Sequence, residues 1–140
     1  MELEYSYYRN REGQFYRPTI EVTFKYGSKE FRAEEVLVDT GSDFVIINTE
    51  IADQIGAIPD KEMAIEIDCV CGKKVHIYHS LHPIEIVLPY ENLKPTSWKT
   101  PVKIVDADSA PLLGQRGFLN HFDVTFYGKR HVMKIVEATS

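Results

Sequence analysis

The stretch Val36-Leu37-Val38-Asp39-Thr40-Gly41-Ser42-Asp43-Phe44-Val45-Ile46-Ile47-Asn48 limits the possible folds more than any other. Apolar, largely β-branched residues climb to one acid, a glycine turns the chain, and apolar residues resume. Such flanks predict two buried strands, with Asp39 at the end of the first, in an apolar neighbourhood where a lone carboxylate is costly to ionise. Gly41 permits a sharp turn and brings its N–H close to the carboxylate, while Thr40 and Ser42 supply hydroxyls for the turn or the acid. A plain turn in which Asp39 bonds only its own backbone uses the same small residues, but it does not need apolar runs on both sides.

The remaining chain reads as short strands. Met1 to Gly13, polar apart from Leu3 and several tyrosines, is expected to be an extended arm whose order depends on a neighbour. Ile20, Val22, Phe24 and Tyr26 alternate with Glu21, Thr23 and Lys25 as a half-buried strand, Gly27-Ser28 turns, and Phe31 to Val38 returns antiparallel. Asn48 or Thr49 can cap a short helix through Ile55 that stops at Gly56. Strands follow at Ala64 to Ile67 and Val75 to Tyr78, joined by a hairpin tip at Cys69 to Lys74, and then at Ile84 to Leu88. Pro89 to Pro101 reads as a loop, Val102 to Val105 as a strand, and Gln115 to His121 as one or two helical turns. Val124 to Tyr127 and Val132 to Val136 then form the last hairpin. Without repeats or linkers, this pattern predicts an all-β, closed or nearly closed barrel with one or two short helices.

With 140 residues, 44% hydrophobic and 26% charged, the chain has enough material for one core and none for a second domain of similar size, so 1–140 is expected to be a single domain with 1–13 as its arm. The net charge of −5 argues against a nucleic-acid partner, and no apolar run of membrane-spanning length or basic-then-apolar leader is present. Cys69 and Cys71 are too close along one strand to make a good disulfide. The expected setting is therefore a reducing cytoplasm, with no membrane partner.

Asp39-Thr40-Gly41-Ser42, then Cys69-Val70-Cys71-Gly72, then Ala110-Pro111-Leu112-Leu113-Gly114 followed by Phe118-Leu119 resemble, in order, the landmarks of the retropepsin-like aspartic proteases, over roughly residues 17 to 136. The resemblance implies a homodimeric aspartic endopeptidase that hydrolyses peptide or protein substrates and needs no cofactor and no metal. The chain holds one such acid motif, since Asp108-Ser109 lacks the glycine and the apolar flanks. A second carboxyl must then come from a second copy, each contributing Asp39 at a two-fold axis. Two adjacent carboxyls sharing one proton can activate water and stabilise the oxyanion that forms.

By the same resemblance Asp39, Thr40 and Gly41 form the catalytic loop, with Thr40 bonding its counterpart's backbone across the axis. Asp43 contacts substrate backbone or pairs across subunits with Arg17, Leu112 lines the groove, and Val70 with Gly72 forms the flap tip that closes over substrate. The chain departs from the retroviral pattern in carrying cysteines beside Val70, and in placing Gln115 directly after Gly114 where arginine is usual, with Arg116 and Gly117 following. Two alternatives stay open. One is a non-catalytic peptide-binding or dimerisation module on the same fold. The other is a metal site built from Cys69, Cys71, His76, His79 and His82, whose spacing does not match the usual two-residue gaps of structural zinc.

Overall fold

The computed structural model describes residues 1–68 and 72–139. Its elements in chain order are β1 (Glu2–Glu4), β2 (Ser6–Asn10), β3 (Gly13–Arg17), β4 (Thr19–Tyr26), β5 (Lys29–Val38), β6 (Val45–Asn48), α1 (Thr49–Ile55), β7 (Pro59–Asp68), β8 (Lys74–Ser80), β9 (Ile84–Val87), β10 (Ser97–Thr100), β11 (Val102–Val105), β12 (Leu112–Leu113), β13 (Phe122–Tyr127) and β14 (Val132–Glu137). Nine strands pair in the order β10-β9-β4-β5-β12-β6-β11-β8-β7, and β1-β14-β13 form a second sheet. The all-β class is as expected; the hydrogen-bonded series runs from β10 to β7, and its closure into a barrel is no part of that series.

Period-two alternation places the core. Ile20, Val22 and Phe24 of β4 are buried, as are Ile84 and Ile86 of β9 and Val45 and Ile47 of β6, and their opposite-facing neighbours are only partly covered. Helix α1 closes over this layer with Ile51, Ala52 and Ile55. Its start is fixed by the Asn48 side chain, which accepts from the Ile51 N–H at 2.9 Å, and its end by Gly56 at φ 75°.

Three expectations are corrected. The first 13 residues are not an arm awaiting a neighbour: β1 pairs with β14 of the same chain, Leu3 opposite Met133, and β2 pairs with β3. What organises the hairpin is a row of aromatic pairs, Tyr7 with Tyr16 at 5.2 Å and Tyr8 with Phe15 at 5.1 Å between ring centres. At its turn, Asn10 Oδ1 accepts from the Glu12 N–H at 2.8 Å. The presumed loop Pro89–Pro101 contains β10, paired along β9 from Ser97↔Val87 to Thr100↔Ile84. Gln115–His121 forms turns rather than a helix. The Leu119 and Asn120 N–H groups reach back five residues to the Gly114 and Gln115 carbonyls, Gly117 sits at φ 103°, and Asn120 Oδ1 accepts from the Gly117 N–H.

That turn is anchored by Trp98, whose Nε1–H donates to the Gly117 carbonyl at 2.6 Å and whose ring packs on Phe118, His121 and Phe122. Burial against Trp98 disfavours the His121 imidazolium and holds its pKa below the usual 6.5. The unfolded chain therefore takes up this proton at higher pH than the folded one. The stabilisation is complete above the unfolded value and is lost as pH falls through it towards the lower folded value. Urea titration followed by Trp98 fluorescence is expected to show a lower midpoint at about pH 5 than at about pH 7.5, with a smaller drop in His121→Gln. Equal drops in the two proteins would contradict this assignment.

Among the described residues, no helix is long and apolar enough to cross a membrane.

Candidate active site

Asp39 follows directly on β5, at the centre of the nine-stranded sheet. There β12 slots between the strands that lead into and out of the acid loop, running parallel to β5 (Leu112↔Leu37, Leu113↔Val38) and antiparallel to β6 (Leu112↔Ile46). The Asp39 N–H donates to the Leu113 carbonyl at 2.9 Å, and the Val38 N–H donates to the Pro18 carbonyl at 2.9 Å. The acid is thus placed by backbone on both sides of its strand. It is half-buried, at the mouth of the loop, and less enclosed than its apolar flanks suggest.

The turn then wraps the carboxylate. Asp39 Oδ1 accepts from the Gly41 N–H at 2.9 Å, and the Asp39 carbonyl accepts from the Ser42 N–H at 3.2 Å. A Cβ on Gly41 would stand 3.3 Å from Oδ1, so the glycine is what allows this approach. Ser42 is buried and its hydroxyl donates to the Phe44 carbonyl at 2.7 Å, serving the turn and not the acid. Thr40 is exposed beside the acid.

Gly114 locks the segment leaving β12 onto the acid loop. The Ser42 carbonyl accepts from the Gln115 N–H at 2.8 Å, the Asp43 carbonyl accepts from the Arg116 N–H at 2.9 Å, and Phe44 and Arg116 form a parallel bridge. A Cβ at Gly114 would run into the Ser42 and Phe44 carbonyl oxygens. The Gln115 side chain adds a bond that its position after Gly114 only hints at: Nε2–H donates to the Thr40 carbonyl at 2.8 Å. Arg116 lies over the Phe44 ring instead.

Leu112 is half-buried beside the loop and Leu113 is fully buried. Asp43 is exposed. Among the described residues it pairs with no cation of its own chain, and Arg17 sits over the Tyr8 ring at 4.8 Å. Gly72, at φ 82°, turns the β7–β8 hairpin, whereas Val70, Cys69 and Cys71 lie outside the described residues. Of the histidines in the alternative metal cluster, His76 approaches Glu66 at 3.4 Å and His82 stacks on Tyr26. Among the described residues, no group of three or more His, Cys, Asp or Glu side chains is gathered as a metal site.

No family model matches the sequence, and no curated protein matches it. Solved structures do match. The EIAV protease complexed with the inhibitor HBY-793 is 24% identical, with 71% of this chain and 82% of that one covered at a TM-score of 0.47. A retropepsin-like aspartic protease from Rickettsia conorii is 17% identical, with 97% of this chain and 98% of that one covered at a TM-score of 0.57. The second similarity covers nearly all of both chains, so this chain has, over nearly its whole length, the fold of a retropepsin-like aspartic protease.

Proposed function

We propose that the protein is a homodimeric aspartic endopeptidase, acting in the cytoplasm on extended peptide segments, with one Asp39 from each subunit at the active site. The observation that carries this reading is the seating of Asp39: its N–H is bonded to β12, its carboxylate is met by the Gly41 N–H, and its loop is clamped by Gly114 and Gln115. A turn serving only the backbone would not require this second clamp.

In the proposed dimer the two carboxyls hold one proton between them, as aspartic proteases do. The ionised one takes a proton from a bound water as the water oxygen bonds to the peptide carbonyl carbon. The protonated one donates to the oxyanion that forms. Collapse breaks the C–N bond, the amine nitrogen takes up a proton, and an acid and an amine leave. Thr40 would tie the two loops across the axis, Leu112 would wall the groove, Asp43 would meet substrate backbone or the partner's arginine, and Val70 and Gly72 would lie over the substrate.

The test is cleavage of unstructured peptides by purified protein, measured with a tetrahedral-intermediate mimic and separately with a metal chelator. Inhibition by the mimic with indifference to the chelator is expected. Peptide binding without cleavage would favour the non-catalytic module instead, and loss only on chelation would favour a metal enzyme. Gln115→Leu removes the carboxamide bond to Thr40. This exposed bond contributes about 1 kcal/mol or less to stability, so the variant should fold while its kcat drops and its KM changes little. An unchanged kcat would show that the bond does not position the loop.

A further inference from the structure

Three nitrogen-bearing side chains converge on one ring at the acid-loop end of the sheet. Lys103 Nζ lies 4.4 Å and the Arg116 guanidinium 5.7 Å from the centre of the Phe44 ring, and the His79 ring meets it edge-on at 5.5 Å between centres. Topology puts them there. Phe44 immediately precedes β6, the parallel neighbour β11 sets Lys103 against Ile46, the antiparallel β8 sets His79 opposite Lys103, and Arg116 bridges to Phe44 as the chain leaves β12. Asp39, just past β5, lies at the same end, because β12 runs parallel to β5 and passes Gln115 to the Ser42 carbonyl.

Among the described residues, neither Lys103 nor Arg116 has a carboxylate partner; the ion pairs are Arg32 with Glu21, and Lys74 and His76 with Glu66. The neighbouring acid, Asp43, meets Arg116 through backbone only. In a chain with 21 acidic and 16 basic residues, two unpaired cations beside one acid loop run against the overall charge. Contact with the ring holds each cation in place and leaves outer N–H groups free to donate.

We infer that Lys103 and Arg116, ordered on Phe44, form a subsite for an acidic side chain of the peptide laid across the Asp39 loop, so that substrates with Glu or Asp at one fixed distance from the scissile bond are preferred. The inference rests on the peptidase reading of Asp39. It is tested by profiling a peptide library with the purified dimer, then comparing a Glu peptide with its Gln counterpart in wild type and in Lys103→Gln/Arg116→Gln. Wild type is expected to favour the Glu peptide roughly five- to tenfold in kcat/KM at low salt, fading as salt is added, and the double variant is expected to bring that ratio close to one.

Cleavage of both peptides by wild type at equal rates would overturn the subsite and leave the peptidase reading standing. A ratio that persists in the double variant would also overturn it. If wild type cuts neither peptide, the peptidase reading fails, and fluorescence anisotropy with the same two peptides then decides the subsite: tighter, salt-sensitive binding of the Glu peptide supports it and equal binding ends it. Loss of the dimer in the double variant, and with it of cleavage of both peptides alike, would assign the cations to the subunit contact and overturn the inference.

Discussion

Asp39→Asn should lower kcat/KM for peptide cleavage by about 10³–10⁴-fold or more while leaving the fold in place. The asparagine amide keeps the shape of the carboxylate, and its oxygen can still accept the Gly41 N–H that Asp39 Oδ1 accepts at 2.9 Å. What it loses is the capacity to take a proton from water. The expected signature is an unchanged urea midpoint, an unchanged dimer and no turnover. Turnover near the wild-type rate would remove Asp39 from the chemistry, whatever the fold resembles.

Gly114→Ala should be the most damaging single substitution to stability, at about 3 kcal/mol or more. The added Cβ meets the Ser42 and Phe44 carbonyl oxygens, which are backbone and cannot rotate away as a side chain can. To admit it, β12 must withdraw from the acid loop, breaking the bonds to Ser42 and Asp43 that fix Asp39's surroundings. Gly128→Ala is the control, since a Cβ there meets nothing within 4 Å. Equal midpoints for the two variants in urea denaturation would refute the clamp.

Where local pattern and tertiary packing agreed, the sequence was readable. The alternation at Ile20, Val22 and Phe24 and the Gly56 stop became the elements expected of them, and of the two expected cap candidates, Asn48 and Thr49, it is Asn48 that caps. Asp39 at a strand end, with Gly41 serving its carboxylate, was equally legible, because a turn between two apolar runs leaves few other conformations. The misreadings lie where long-range partners decide. The first hairpin is ordered by contacts within itself and by Tyr16, still exposed, stacking on His131 at 3.7 Å between ring centres, while β10 pairs along β9 with Trp98 bonding the Gly117 carbonyl from far along the chain. The contacts of Gln115 and Lys103 are not written locally: one acts through a carbonyl 75 positions away in sequence, the other through a ring just ahead of a neighbouring strand. No period of hydrophobicity encodes such contacts.

The claim beneath the proposed function is that each active site draws one Asp39 from each of two chains. Refolding a fixed amount of wild type with increasing Asp39→Asn and measuring peptide cleavage tests it directly. Mixed dimers should be inactive, so activity should fall to about half at equal amounts and continue down in proportion to the wild-type fraction. Activity that stays constant as the variant is added would show that one chain suffices, and the two-chain site would have to be abandoned.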